Sequence, residues 1–304
     1  MASSQEANRI IQASFAQGMI EARGQAARCM KIVPAMGAAS YRVGGGAFGG
    51  LGATLSATAT SVSNSDYFTF EASHTMVTKV IKHTVPKDTL QTDYAFAQAG
   101  GQLADSAVGT LDKIAFDGLE SLFSLAHPRA GAAAGEVGAG KKYIDTGLAY
   151  LQTEGGAGTQ DTLLTAALSE AALNSAIKLM LQQRSDRGIA MNLGANGGLV
   201  LVVDPYNAQT AHELVVSQLS GADNASNFVK GLIDDVVVYP FTTDKDDWML
   251  IDRKNAPIGM AIGADPTARI SLTTDGLFYE LVAEVRTVFW TSPYEYGIVG
   301  SDVA

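Results

Sequence analysis

One stretch constrains the fold of this chain more than any other. Between Asp88 and Ala126, Tyr94, Ala97, Gly101, Ala104, Val108, Leu111, Ala115, Leu119 and Leu122 follow one another in steps of three and four. That is the repeat of one helix face, sustained without a break. Asp88 or Thr89 offers an N-cap and His127-Pro128 a stop, so the spacing predicts one helix over about 88–126. At about 1.5 Å per residue the rod is roughly 55 Å long. Gly100, Gly101, Gly109 and Gly118 lie within it. Each costs about 1 kcal/mol against alanine in an exposed helix unless another element packs closely on it.

The segments before this helix are of two kinds. In residues 1–30, Ile11, Phe15 and Met19 recur every four positions beside Ile10 and Ile20, with Arg9, Glu21 and Arg23 on the other face. Ser3 and Glu6 have capping-box spacing. The result is an amphipathic arm whose apolar stripe needs a partner surface, either its own domain or a second copy. Residues 37–75 begin with Gly44, Gly45, Gly46, Gly49, Gly50 and Gly52 and continue in Ala, Thr and Ser. So little apolar area cannot offset the entropy of ordering, which predicts a mobile excursion or a long hairpin. Met76 to Val85 is β-rich with Lys79 and Lys82 on opposite faces, the pattern of an edge strand or ribbon.

After the long helix, residues 129–160 are Gly/Ala-rich and read as loop, with a short strand or helix near Tyr143 to Leu151. A second helix is expected over 161–184, capped by Asp161. Leu199 to Val203 reads as a buried strand, the Asp204-Pro205 turn leads into a helix over Asn207 to Ser217, and short strands dominate from Val236. No tandem repeat is present.

Charged residues make up 17% of the 304 positions and apolar ones 47%. A chain of this size buries roughly 75% of the surface its unfolded form exposes. So little charge, against an average near 25%, suits a protein that also covers surface against other subunits. The net charge of −10 excludes the basic face that phosphate-neutralising DNA binders need, though not a container for DNA. The single cysteine, Cys29, fits a reducing compartment. The opening MASSQEANRI lacks the basic-then-apolar order of a secretory leader, and no apolar run reaches the ~20 residues of a membrane span. Assembly in a cytoplasm is expected.

Motifs for chemistry fail one by one. Gly44-x-Gly46-x-x-Gly49 matches a dinucleotide fingerprint, but no helical period follows to present amides to a pyrophosphate. Gly135-x4-Gly140-Lys141-Lys142 resembles a phosphate loop, yet Lys142 stands where a Ser or Thr should hold magnesium, and no apolar strand precedes it. His74, His83, His127 and His212 have no metal-ligand spacing. Asp244, Asp246 and Asp247 lack the glycine and closing Glu of a calcium loop and read as a solvated acidic turn. No catalytic residue, metal site or cofactor is expected.

The order of elements, with GGLVLVVDPYNAQTAHELV, DWMLIDRKNAPIG and FYELVAEVRTVFW, resembles the tailed-phage major capsid proteins of the Hong Kong 97-type fold, closest to Mu-like coats. The resemblance implies an α+β subunit with an N-terminal arm (1–36), an extended loop (37–75) and a peripheral domain with spine helix (76–196). An axial core (197–235) and return strands (236–304) complete it. It further implies pentamers and hexamers of an icosahedral shell around double-stranded DNA in a virion. Separate scaffold and portal proteins, a possible cement protein and no membrane go with that. A shell subunit gains from extended, side-chain-poor segments laid across neighbours. Ile11, Phe15 and Met19 of the arm and Gly45, Gly46, Phe48 and Gly50 of the loop are therefore the expected inter-subunit contacts. Two rivals remain: an encapsulin-like compartment of the same fold, and a nucleotide-binding enzyme using residues 135–142.

Overall fold

The computed structural model describes residues 4–21, 24–35, 40–48, 67–131, 137–152, 156–185, 190–195, 197–216, 231–240, 246–255, 257–263 and 267–303. The chain opens with helices α1 (Ser4–Glu21) and α2 (Ala26–Cys29) and strand β1 (Lys31–Ala35). Strands β2 (Ser40–Phe48), β3 (Tyr67–Thr75) and β4 (Val77–Pro86) precede helix α3 (Asp93–Ser121). Next come β5 (Leu148–Gln152), β6 (Gly156–Gln160), β7 (Leu163–Leu164), α4 (Glu170–Gln182), β8 (Leu199–Val203) and α5 (Ala208–Val216). The chain closes through β9 (Ile233–Val238), β10 (Trp248–Asp252), β11 (Ile258–Gly263), β12 (Thr267–Leu272), β13 (Phe278–Thr291) and β14 (Ile298–Ser301).

Helix α3 is the spine, shorter at both ends than its periodicity predicts. Its 29 residues span roughly 43 Å at 1.5 Å each. The N-cap is Thr92, whose hydroxyl accepts from the Ala95 amide at 3.2 Å, rather than Asp88 or Thr89. Lys87–Thr89 form a separate 3-10 turn held by the Lys87 amide donating to the Leu277 carbonyl at 2.9 Å. At the other end the amides of Ser124 and Leu125 fold back onto the Ser121 carbonyl, closing the helix before His127-Pro128 is reached.

Helix α1 lies along the spine in the same chain. Its stripe of Ala7, Ile11 and Phe15 is buried beside Leu103, Ala104, Ala107 and Leu111 of α3. Glycine allows the helices this approach: a β-carbon on Gly18 would stand 2.7 Å from that of Ala104, and one on Gly100 would stand 3.0 Å from the Ile11 carbonyl. Asp112 of the spine caps α2 by accepting from the amides of Gln25 and Ala26 at 2.9 and 3.0 Å.

Two five-stranded sheets carry the rest. In one sheet, the one expected to be peripheral, β13 pairs with β12 over 279–284, with β4 over 278–287 and with β11 over 287–291. Strand β1 adds to β11 in parallel, so residues 31–35 of the expected arm are part of a sheet. Strand β4 pairs only with β13 among the described residues, which makes it the expected edge. Leu281, Ala283 and Val285 of β13 enter the core under α1 and α3, while Glu280 and Glu284 face outward and pair with Lys82 and Arg269, each at 3.1 Å.

The other sheet, the one expected to be axial, runs β7-β14-β10-β8-β9. Every residue of β8, β10 and β14 is buried. Val200, Val202, Met249 and Ile251 face the spine core, and Leu199, Leu201, Val203, Trp248 and Leu250 face a second core under α4 and α5. A strand covered on both faces loses its polar alternation, which is why LVLVV reads as a continuous apolar run. Strand β9 starts at Ile233, so the expected boundary at 235/236 cuts a strand. The helix expected over 161–184 begins only at Glu170, capped by Ser169 accepting from Ala172 at 3.2 Å. Leu163 and Leu164 pair instead with β14, and the Asp161 carboxylate accepts from the Gly147 amide at 2.6 Å.

Candidate functional site

The expected contact residues fall into two groups. Ile11 and Phe15 are 0% and 1% exposed inside their own chain, and Met19 is half-buried against the same core. The reading of this stripe as a contact with a neighbouring copy is corrected for Ile11 and Phe15, because α3 already occupies it. Gly45, Gly46 and Phe48 lie in β2, whose ladder with β3 runs without slip from Ser40↔Thr75 to Phe48↔Tyr67. Gly50 is outside the described residues.

This β2–β3 ribbon is a two-stranded sheet with no third strand among the described residues. Nine residues at about 3.3 Å each give it a length near 30 Å. Its root is fixed where the His74 ring meets the Thr291 carbonyl at 3.0 Å. Burial lowers the pKa of His74, opposed by that carbonyl. The ribbon also disposes of the dinucleotide fingerprint, since Gly44 and Gly46 sit in the middle of a strand and open no helix.

A second exposed surface was not legible in the sequence. Leu277 (64% exposed), Leu272 (47%) and Phe278 (36%) lie at the turn from β12 to β13, and Tyr94 (77%) is exposed in the first turn of the spine. The Lys87–Leu277 bond and the edge-on contact of Phe96 with Tyr279 at 5.9 Å hold these parts together. On the edge strand β4, Val77 and Val80 are about half exposed.

Behind these surfaces lies a buried ionic junction that sequence reading also missed. The Glu295 carboxylate is 1% exposed. Its Oε2 accepts from Arg129 Nη2 at 2.9 Å and lies 3.0 Å from His127 Nε2. Its Oε1 accepts from Gln160 Nε2 at 2.8 Å. Arg129 also donates through Nε to the Pro293 carbonyl at 2.9 Å and stacks over the Tyr294 ring at 4.5 Å. Tyr143 stacks on His127 and donates its hydroxyl to the carbonyls of Tyr294 (2.8 Å) and Pro257 (3.3 Å). Burial by itself would raise the pKa of Glu295. The His127 hydrogen bond and the Arg129 charge outweigh it and hold the carboxyl down at about 2.

The phosphate-loop reading also fails on geometry. Lys141 Nζ donates to the Thr146 carbonyl at 2.6 Å, Lys142 makes an isolated bridge with Ala126, and the next helix is α4. Cys29 is fully buried, and desolvation pushes its thiol up to about 12.

A family profile of phage capsid proteins matches residues 71–299. The chain belongs to the phage capsid protein family. Solved capsids share its fold at low identity. A virus-like particle from Pyrococcus furiosus aligns with TM-score 0.51 at 12% identity, covering 97% of this chain and 98% of that one. The capsid of a native GTA particle gives 0.54 at 13%, covering 93% and 91%. The capsid of Ralstonia phage GP4 gives 0.51 at 12%, covering 90% and 86%. No curated protein matches the sequence. This phage capsid protein is a structural shell protein of the α+β, Hong Kong 97-type fold.

Proposed function

We propose that this capsid protein assembles as pentamers and hexamers of an icosahedral shell that encloses double-stranded DNA, in the manner of the Mu-like coats. The observation that carries the reading is the β2–β3 ribbon. An isolated two-stranded ribbon is marginal in water, and among the described residues no further strand pairs with either of its outer edges. A neighbouring copy supplies what its own chain does not, through contacts along Gly45, Gly46 and Phe48. The exposed apolar residues Leu272, Leu277 and Phe278 at the turn from β12 to β13 form a second contact. The charge of −10 suits an inner wall that does not adhere to a polyanion. Assembly takes place in the host cytoplasm with separate scaffold and portal proteins and an optional cement protein.

The full-length alignment with the Pyrococcus furiosus virus-like particle supports one other reading, a compartment of the same fold with protein cargo. Electron microscopy of particles from producing cells, with nuclease-protected nucleic acid measured in them, tests both. Closed shells filled with protected double-stranded DNA are expected, and filled shells holding only protein would establish the compartment instead. Replacing residues 41–74 by a short Gly-Ser turn should leave a folded subunit that forms no shells; wild-type shell yield would refute the ribbon's role.

A further inference from the structure

Two strand-to-strand crossovers join the peripheral and axial sheets directly. One leads from β10 to β11 through residues 253–257, the other from β13 to β14 through 292–297. They are bonded to each other, Ser292 N to the Pro257 carbonyl at 2.5 Å and Asp252 N to the Gly297 carbonyl at 2.8 Å. The ionic junction sits on this pair of crossovers. Glu295 belongs to the second, the Arg129 guanidinium grips that crossover at Pro293 and Glu295, and the Tyr143 hydroxyl bridges both at Pro257 and Tyr294. His127 and Arg129 follow the turn that closes the spine at Ser121, and Gln160 comes from β6. Two distant parts of the chain, 127–129 and Gln160, therefore converge on one carboxylate of the second crossover.

We infer that Arg129, Glu295 and His127 form a positioning site for assembly, fixing the angle between the peripheral and axial sheets and with it the curvature of the shell. The inference rests on the shell-building role above. Turning one sheet against the other must change the backbone angles of 253–255 and 292–297. That turn carries Glu295 away from Arg129 and His127 and leaves a buried charge without its partners, an outcome far more costly than sliding one apolar surface over another. Charge-assisted hydrogen bonds are directional, so they select one angle where packing alone tolerates a range. In a closed assembly each subunit repeats the same contacts, and a spread in that angle becomes a spread in curvature.

The test separates angle from stability. Buried ion clusters can be replaced by apolar side chains of similar volume without loss of stability. The triple variant His127→Leu/Arg129→Met/Glu295→Leu is therefore expected to fold cooperatively but to lose the single diameter class of the wild-type shells in electron micrographs. Folded triple-variant subunits that build shells of wild-type diameter and uniformity overturn the proposal. Should the triple variant not fold, Arg129→Lys keeps the positive charge but lacks the forked donor set that reaches both Pro293 and Glu295. It should broaden the diameters, and uniform wild-type shells from it overturn the proposal equally. Amide exchange in unassembled subunits reads the junction directly. Faster exchange confined to 253–255 and 292–297 is expected in either variant, and unchanged exchange there overturns it. If the wild type itself forms no shells, the shell reading fails while the exchange experiment still decides the junction.

Discussion

Replacing Ile11 with alanine tests whether the N-terminal helix belongs to its own subunit. The side chain is 0% exposed, packed between α1 and the spine. Losing its ethyl and γ-methyl groups removes about 2.4 kcal/mol of transfer free energy at roughly 0.8 kcal/mol per group. The neighbours include Gly100, whose α-carbon cannot follow the void without moving the spine. A cavity term therefore adds to the loss, for a total of roughly 3–4 kcal/mol within the usual range of about 2–5. At about 2–4 °C per kcal/mol this lowers the melting temperature by roughly 6–16 °C. The assay is thermal unfolding of dilute, unassembled subunits followed by far-UV circular dichroism. Gln12→Ala, on the exposed face of the same helix, is the control and should move stability by less than about 0.5 kcal/mol. If Ile11→Ala leaves the subunit's melting temperature unchanged and impairs only assembly, the stripe faces a neighbouring copy and the packing described here is wrong.

Other consequences are as direct. A β-carbon on Gly118 would stand 2.3 Å from the Phe289 ring, whereas one on Gly109 would meet nothing within 4 Å. Gly118→Ala should therefore destabilise by about 1–3 kcal/mol, and Gly109→Ala should stabilise by up to about 1 kcal/mol, both read by denaturant melts. Glu295 is held at about 2 against an ordinary 4.5, so its contribution is complete above about 4.5 and is lost as pH falls toward 2. Melting temperatures of the wild type should fall through that window, and those of Glu295→Gln should fall less steeply; parallel curves would contradict the assignment. Cys29, buried and pushed up to about 12, should resist a thiol reagent at pH 8 until the subunit unfolds, and rapid labelling of native protein would count against its burial.

What the sequence revealed depended on how local each signal was. Strand β8 was legible to the residue, because LVLVV is bounded by Gly198 and the Asp204-Pro205 turn, and the Asp204 carboxylate accepts from Asn207 at 2.6 Å to start the next turn. The interior of the spine was equally plain, but not its ends. They are set by the Thr92 cap, after a turn held by the Leu277 carbonyl, and by the turn that closes on Ser121, none of which leaves a periodic trace. Residues 161–184 looked like one helix because Leu163 and Leu164 fit its spacing, while their partners Gly300 and Ser301 lie far along the chain. The stripe of α1 announced that an apolar face needs covering without saying by whom. The ionic junction left no pattern at all, since Arg129 and Glu295 are 166 positions apart and each alone reads as an ordinary surface charge.

A side-chain-resolution reconstruction of the assembled particle weighs the whole account at once. It should show α1 seated on the spine of its own subunit and the β2–β3 ribbon lying across an adjacent copy, with new backbone contacts along its outer edge. A ribbon folded back onto its own subunit, making no contact with any neighbour, would contradict it.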